Sequence, residues 1–489
     1  MLALRLPIYE IGGKYGSFFD QAFLMPDPQQ AAIEPAVSNP APLKLSLLKL
    51  AGPTILGNLL LSLVHLAAIK IVASLGAESV AAVIAADRIY MSIQLIIFAI
   101  TAGTTALVAY AMGSRDPAEA DRVLKISISL CLGASLVLCV LIQFIATPLV
   151  GIFGLQGETL GDAAEYLKIL VYFNVFFSFL AVIGAALRAA GDALTPVWVI
   201  ALGNLINIAL AYGLVYGRFG LPELGLQGAA YAAGISYLLA AILFYLMWQG
   251  QRLILRPVKQ PFFNRERAAH LIRIAIPAGI EQTIFNVSII AFMWVVSLYG
   301  TEAFTAYGIG VNILSLSIVI GMGFSIATAT MVGQHLGAKQ PAEAERAAWR
   351  NLKVAFTSML LIGLAIGLNA RLIGSFFISS ATVLDYLVAL TIMLAIVQPL
   401  MSVEFTLGGA LRGAGDTKAP AKITGLGFLF GRVLLTAVFY LLGFSVYWIY
   451  AALIADYIIK ASMYFYIFRQ GHWKTAFERS RGRPRLAKV

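Results

Sequence analysis

Charge is scarce in this sequence. Asp, Glu, Lys and Arg make up 12% of its 489 residues, against about 25% in a soluble globular domain, which excludes an ordinary water-soluble fold. Cysteine is nearly absent. Cys131 and Cys139 fall on what reads as one helix, cannot bridge each other, and are expected to be buried thiols rather than a disulfide framework. The four histidines, His65, His270, His335 and His472, are scattered, so neither a metal-ligand set nor a nucleophile–base constellation can be read. No enzyme, resident metal or cofactor is expected. No GxxxxGK[ST] loop occurs, which argues against ATP-driven work, and the filter motifs and acidic rings of a channel are missing too. Residues 1–44 contain no continuous apolar core of a signal peptide. They are expected to form a poorly ordered cytoplasmic tail, the first membrane helix acting as its own targeting signal.

What is abundant is apolar material: 60% of residues are hydrophobic and mean hydropathy is +0.85. Runs of about 20 apolar residues, enough to cross a bilayer core, follow one another along the chain. They divide into twelve spans, roughly 46–73, 79–111, 123–149, 161–187, 195–216, 226–248, 270–298, 303–333, 347–369, 380–410, 420–443 and 446–468. Backbone polar groups find no partner in lipid, so spans are helices or a closed barrel; continuous runs such as LVLCVLIQFIA decide for helices. The expected fold is all-α and polytopic. Of the 35 Lys and Arg, 28 fall on one side of the alternating loops, together with both termini. The positive-inside rule makes that side cytoplasmic. The net charge of +11 therefore reflects topology and needs no nucleic-acid partner; the basic end RSRGRPRLAKV is expected to attract the inner leaflet.

The stretch LRAAGDALTP (187–196) returns as LRGAGDTKAP (411–420), and the same offset of 224 relates Pro53 to Pro277, Gly76 to Gly300, Gly113 to Gly337, Pro117 to Pro341, Arg122 to Arg346 and Gly203 to Gly427. Such register marks an internal duplication. Each copy holds six spans, so the halves are parallel repeats about an axis along the membrane normal. The resulting division is an N-lobe (45–248), a basic linker (249–268), a C-lobe (269–470) and a basic tail (471–489). Within the decapeptide, Arg188 and Arg412 are expected to close their helices against the negative dipole end. Gly191 and Gly415 permit a left-handed turn; Asp192 and Asp416 cap the next helix, with Pro196 and Pro420 near its first turn. In the second pair, GSRDPAEADR (113–122) and GAKQPAEAER (337–346), Gly is expected to end a helix. A capping box Asp116/Glu119, with Gln340/Glu343 as its weaker copy, then starts the next. Both motifs are expected to hold geometry rather than touch substrate.

The text MVGQHLGAKQPAEAERA (331–347) with ALRGAGDTKAP (410–420), each echoed one half earlier, resembles the multidrug and toxic compound extrusion (MATE) family from about Leu45 to Trp473. The resemblance implies two six-helix lobes around a central cavity. It also implies export of small organic, often cationic, compounds by alternating access, with H+ or Na+ as the coupling ion, in a bacterial inner membrane. A monomer is expected, its partners the lipid bilayer and the substrate. The alternative is a flippase of lipid-linked sugars from the same wider superfamily, whose more basic cavity and extra helices are not visible here. Many bacterial relatives carry an aspartate in the first helix where this chain has His65-Leu66-Ala67-Ala68-Ile69-Lys70, so coupling by a first-half carboxylate does not carry over. Glu281 lies about one turn before the acidic residue that relatives use in the seventh helix.

An unpaired charge inside a bilayer costs several kcal/mol, which makes His65, Lys70, Asp87, Arg88, Glu281, Glu404, Arg432, Asp456 and Lys460 functional candidates. Asp456 and Lys460, at i and i+4, suit a local ion pair; Lys460 and Lys70 are expected to snorkel toward the interfaces. Asp87 and Arg88 are read equally as an interlobe pair or as separate residues. Glu281 follows Pro277 and Glu404 follows Pro399, close to helix interruptions, and an apolar setting is expected to favour proton uptake near neutral pH. Their bland alternative is satisfaction by Gln282, Asn286, Asn312 or Gln398. Gln282 and Asn286 are further ion or substrate candidates. Tyr90, Met91, Phe285, Met293, Trp294, Tyr307 and Phe405 are candidates for a promiscuous cavity lining, with core packing as the alternative.

Overall fold

The computed structural model describes residues 46–259 and 263–480; the tail expected over 1–44 and the last nine residues lie outside them. The described residues form one compact unit. Among the described residues twelve helices are long and apolar enough to cross a membrane: α1 (Leu47–Ala73), α2 (Ala77–Gly113), α3 (Pro117–Gly151), α4 (Gly157–Ala190), α5 (Leu194–Tyr216), α6 (Gly225–Gln249), α7 (Arg265–Ser297), α8 (Thr301–Gly337), α9 (Pro341–Leu368), α10 (Ala381–Gly413), α11 (Lys418–Leu441) and α12 (Val446–Gln470). No strand occurs among the described residues. Two features were not expected. A short helix, Ala370–Phe377, fills the connection between α9 and α10, and α11 contains a π-helical stretch, Gly427–Leu434.

The repeated decapeptide builds the same turn twice. Gly191 (φ 104°) and Gly415 (φ 78°) take the left-handed conformation, which costs glycine little. Asp192 then accepts a bond from Thr195 N at 3.0 Å, and Asp416 one from Ala419 N at 3.4 Å. The second motif differs from expectation. Asp116 caps Glu119 N at 2.8 Å, but the Glu119 carboxylate does not return to the cap; it takes Arg267 and Arg122 instead. Gln340 makes no capping bond. Gly113 and Gly337 do end their helices as expected, and the left-handed residue of each turn is Arg115 (φ 58°) or Lys339 (φ 57°). These glycines are needed for close approach. A Cβ on Gly113 would lie 1.9 Å from Gln334 O, and one on Gly337 2.0 Å from Tyr110 O. Small residues let backbones touch where lipid leaves no hydrophobic drive between helices.

Each lobe has an apolar centre of its own, built around Ala86, Leu167 and Val215 in the N-lobe and Phe292, Leu390 and Tyr450 in the C-lobe. A larger cluster joins both lobes at the end bearing the linker and the decapeptide turns, with Val108, Leu124 and Leu187 against Leu271, Val332 and Leu411. That end is called the basic end below.

Candidate functional site

A string of acids and bases runs through the C-lobe. Glu281, on α7, accepts a bond from Arg412 Nη1 at 2.6 Å, while Arg412 Nη2 donates to Ser325 Oγ at 2.8 Å. Arg412 stands in the last turn of α10, yet its guanidinium runs back along its own helix over Gly408, whose missing Cβ leaves room. This corrects the expectation that Arg412 merely closes a helix: it ties α7, α8 and α10 together. Glu281 also has Glu404 and Lys460 within electrostatic range.

Deeper in the lobe, Lys460 Nζ lies 3.1 Å from Asp456 and 3.8 Å from Glu404, and Arg432 Nε donates to Asp456 Oδ2 at 2.7 Å. The Asp456–Lys460 pair forms as i,i+4 spacing predicts. Lys460 does not snorkel; its side chain is only 2% exposed, because two carboxylates hold it inside. The π turn of α11 carries Arg432 to Asp456, and Gly431 lets the chain pass, since a Cβ there would meet Asp456 Cα at 2.5 Å. Three acids and three bases balance. Breaking one such buried pair costs roughly 3–5 kcal/mol, because the remaining charge is stranded. Asp456 Oδ1 is nevertheless buried without a hydrogen-bond partner, a lone pair left open inside the network.

The supposed partners of the glutamates are engaged elsewhere. Asn286 Nδ2 donates to Gln282 O, Asn312 Nδ2 to Gly308 O and Gln398 Nε2 to Ser317 Oγ. Glu281 is buried as expected, and its polar partner there is Arg412. Among the cavity candidates, Tyr90 is buried and donates to Asn174 Oδ1 at 3.2 Å, Tyr307 packs on Phe292, and Phe405 packs against Gly321. Phe285, Met293 and Gln282 are half-buried, while Trp294, Met91 and Asn286 are exposed. Asp87 lies within electrostatic range of Tyr166 and Tyr237 in its own lobe; Arg88 and Lys70 are exposed. A cavity of about 630 Å³ lies at the basic end and is lined by Tyr110, Glu119, Arg267, His270, Arg273 and Lys339 among others. None of the predicted lining residues borders it.

The lobes meet through the halves of their helices nearer the basic end. Cβ atoms on Gly279 and Gly323 would touch Ala99 Cβ at 3.0 Å and Ile55 Cγ1 at 2.3 Å. Gln334 Nε2 donates to Ala189 O at 2.8 Å, and Arg267 grips Glu119 through Nε and Nη2 at 2.8 and 3.0 Å. The segment after α12 closes over this end, with the Phe477 ring tilted against Tyr110 at 4.4 Å between centroids and Lys474 bonded to Glu345. What sequence reasoning missed was the reach of Arg412 and Arg432. A glycine four residues before an arginine at a helix end was the available signal for the first; the π turn left none for the second.

A family model described as MatE matches residues 53–213 and 277–438, once in each repeat. The chain is 28% identical to a probable multidrug resistance protein NorM of Thermotoga maritima, over 88% of this chain and 92% of that one. It is 25% identical to the uncharacterized transporter YisQ of Bacillus subtilis, over 90% of this chain and 97% of that one. A crystal structure of MATE in complex with MaD3S shares the fold with a TM-score of 0.81 at 22% identity, covering 88% of this chain and 96% of the other.

Proposed function

The chain belongs to the MatE family, the multidrug and toxic compound extrusion transporters, and from that premise we propose that it is a secondary antiporter. It exports small amphipathic, mainly cationic, organic compounds across the cytoplasmic membrane in exchange for H+ or Na+, with its basic end in the cytoplasm. The observation that carries the reading is the Glu281–Arg412 pair, with contact at 2.6 Å between two helices of one lobe. A proton, sodium ion or cationic substrate arriving at Glu281 competes with Arg412 for the same oxygens. Its binding releases Arg412 and loosens α7 from α10, so that charge neutralisation is converted into helix movement. Asp456, with an open oxygen, and Glu404, held only at 3.8 Å by Lys460, extend the same exchange deeper into the lobe. Packing of both lobes at the basic end supports a state closed toward the cytoplasm, one of the two that alternating access requires.

The test is efflux of a fluorescent organic cation from reconstituted vesicles, with proton and sodium gradients imposed separately, for wild type and Glu281→Gln. Gradient-driven efflux lost in the variant supports the exchange at Glu281. Unchanged efflux removes Glu281 from coupling and turns attention to Glu404 or Asp87.

A further inference from the structure

Arg188 is the duplicate of Arg412, and its guanidinium follows the same course. Nη1 lies 3.3 Å from where a Cβ on Gly184 would be, just as Nη2 of Arg412 lies 3.3 Å from that of Gly408. The destinations differ. At the offset of 224, Glu281 corresponds to Gly57 and Ser325 to Thr101. Thr101 Oγ1 donates to Phe98 O, and a Cβ on Gly57 would lie 3.1 Å from Val197 Cγ2; the C-lobe has Ala421 where the N-lobe has Val197. The N-lobe has thus exchanged a Glu/Ala pair for Gly/Val, filling the volume while removing the carboxylate.

Among the described residues no acid or carbonyl accepts a bond from the Arg188 side chain, and its Nε is buried with no partner. The nearest acid in sequence, Asp192, caps Thr195 N. A second buried donor without a partner, Asn204 Nδ2, lies on α5 seven residues after Val197, two turns along the same face. Arg188 also sits at the meeting of the lobes, its carbonyl accepting from Thr330 Oγ1. A guanidinium is permanently charged and built to hold carboxylate or phosphate oxygens in a fork.

We propose that Arg188 is an anion-recognition site of the N-lobe, binding a carboxylate or other anionic oxygen group that this lobe does not itself supply. The class of solute recognised there is amphiphilic and zwitterionic. As a statement about cargo the inference rests on the export reading; as a binding site it does not.

The probe pair is a cationic rhodamine ester and the zwitterionic acid it hydrolyses to, with binding followed by fluorescence polarisation in phosphatidylcholine nanodiscs. The expected result is that Arg188→Gln weakens the acid by about tenfold, the scale of one charge-assisted bond, and leaves the ester unchanged. The double variant Gly57→Glu/Val197→Ala, which copies the C-lobe pair and keeps Arg188, should abolish the preference for the acid as well, and it carries the test should Arg188→Gln fail to fold. Equal losses for acid and ester, or no change for either, would overturn the proposal. Repeating the titration with phosphatidylglycerol distinguishes sources. Competition present in wild type and absent in Arg188→Gln assigns the group to a lipid headgroup; an undiminished preference for the acid assigns it to the solute. Absence of gradient-driven ester efflux with acid binding intact would count against the export reading alone.

Discussion

Glu281 and Arg412 lie 131 positions apart in the C-lobe sequence and meet at hydrogen-bond distance, so neither can be altered without consequence for the other. Arg412→Met alone strands Glu281, and Glu281→Gln alone strands Arg412; each is expected to lower stability by about 3 kcal/mol. The double variant should recover most of that loss, because no uncompensated charge remains. Thermal unfolding of the four proteins in detergent checks the cycle. Asp456 holds both Arg432 and Lys460, so Asp456→Asn removes the shared partner of two buried cations. Its loss should exceed that of Glu281→Gln in the same assay.

At the scale of elements, what matters is how closely helices pass. The α2–α8 crossing relies on Gly113 and Gly337, where backbone from the opposite helix occupies the place of a Cβ. Gly337→Val is expected to force the basic ends of α2 and α8 apart by more than an ångström, since the added atom would sit 2.0 Å from Tyr110 O. Spin labels placed near residues 115 and 339 should report a longer distance, and gradient-driven efflux should fall several-fold. The π stretch of α11 is a similar device on a different helix. Extra residues per turn swing Arg432 toward Asp456, and π turns commonly mark places where a helix serves a function rather than its own stability.

On the scale of the molecule, two lobes with their own apolar centres are joined by packing confined to one end, and rocking has to break that packing. Ala99 and Gly279 face each other across the lobes with Cβ positions 3.0 Å apart, within a small adjustment of the roughly 3.5–4.5 Å of a disulfide. In a background with Cys131→Ser and Cys139→Ser, the pair Ala99→Cys/Gly279→Cys should oxidise readily and stop efflux, and reductant should restore it. Efflux persisting through the cross-link would mean that this contact need not open during transport.

Much of this was legible in the chain itself. Hydropathy determined the twelve helices because length and apolarity are local properties, and the offset of 224 determined two parallel halves because duplication preserves register. The turns were legible too: Gly191 and Gly415, Asp192 and Asp416 act through neighbours three or four residues away. Only the tertiary structure decided what the charges do. Arg412 reaches Glu281 across 131 positions and Arg432 reaches Asp456 across 24, while Gly113 and Gly337, besides ending their own helices, admit the backbone of a helix from the opposite lobe. A buried charge is satisfied by whichever partner the packing brings within about 3 Å, and sequence spacing does not encode that distance once two helices separate the pair.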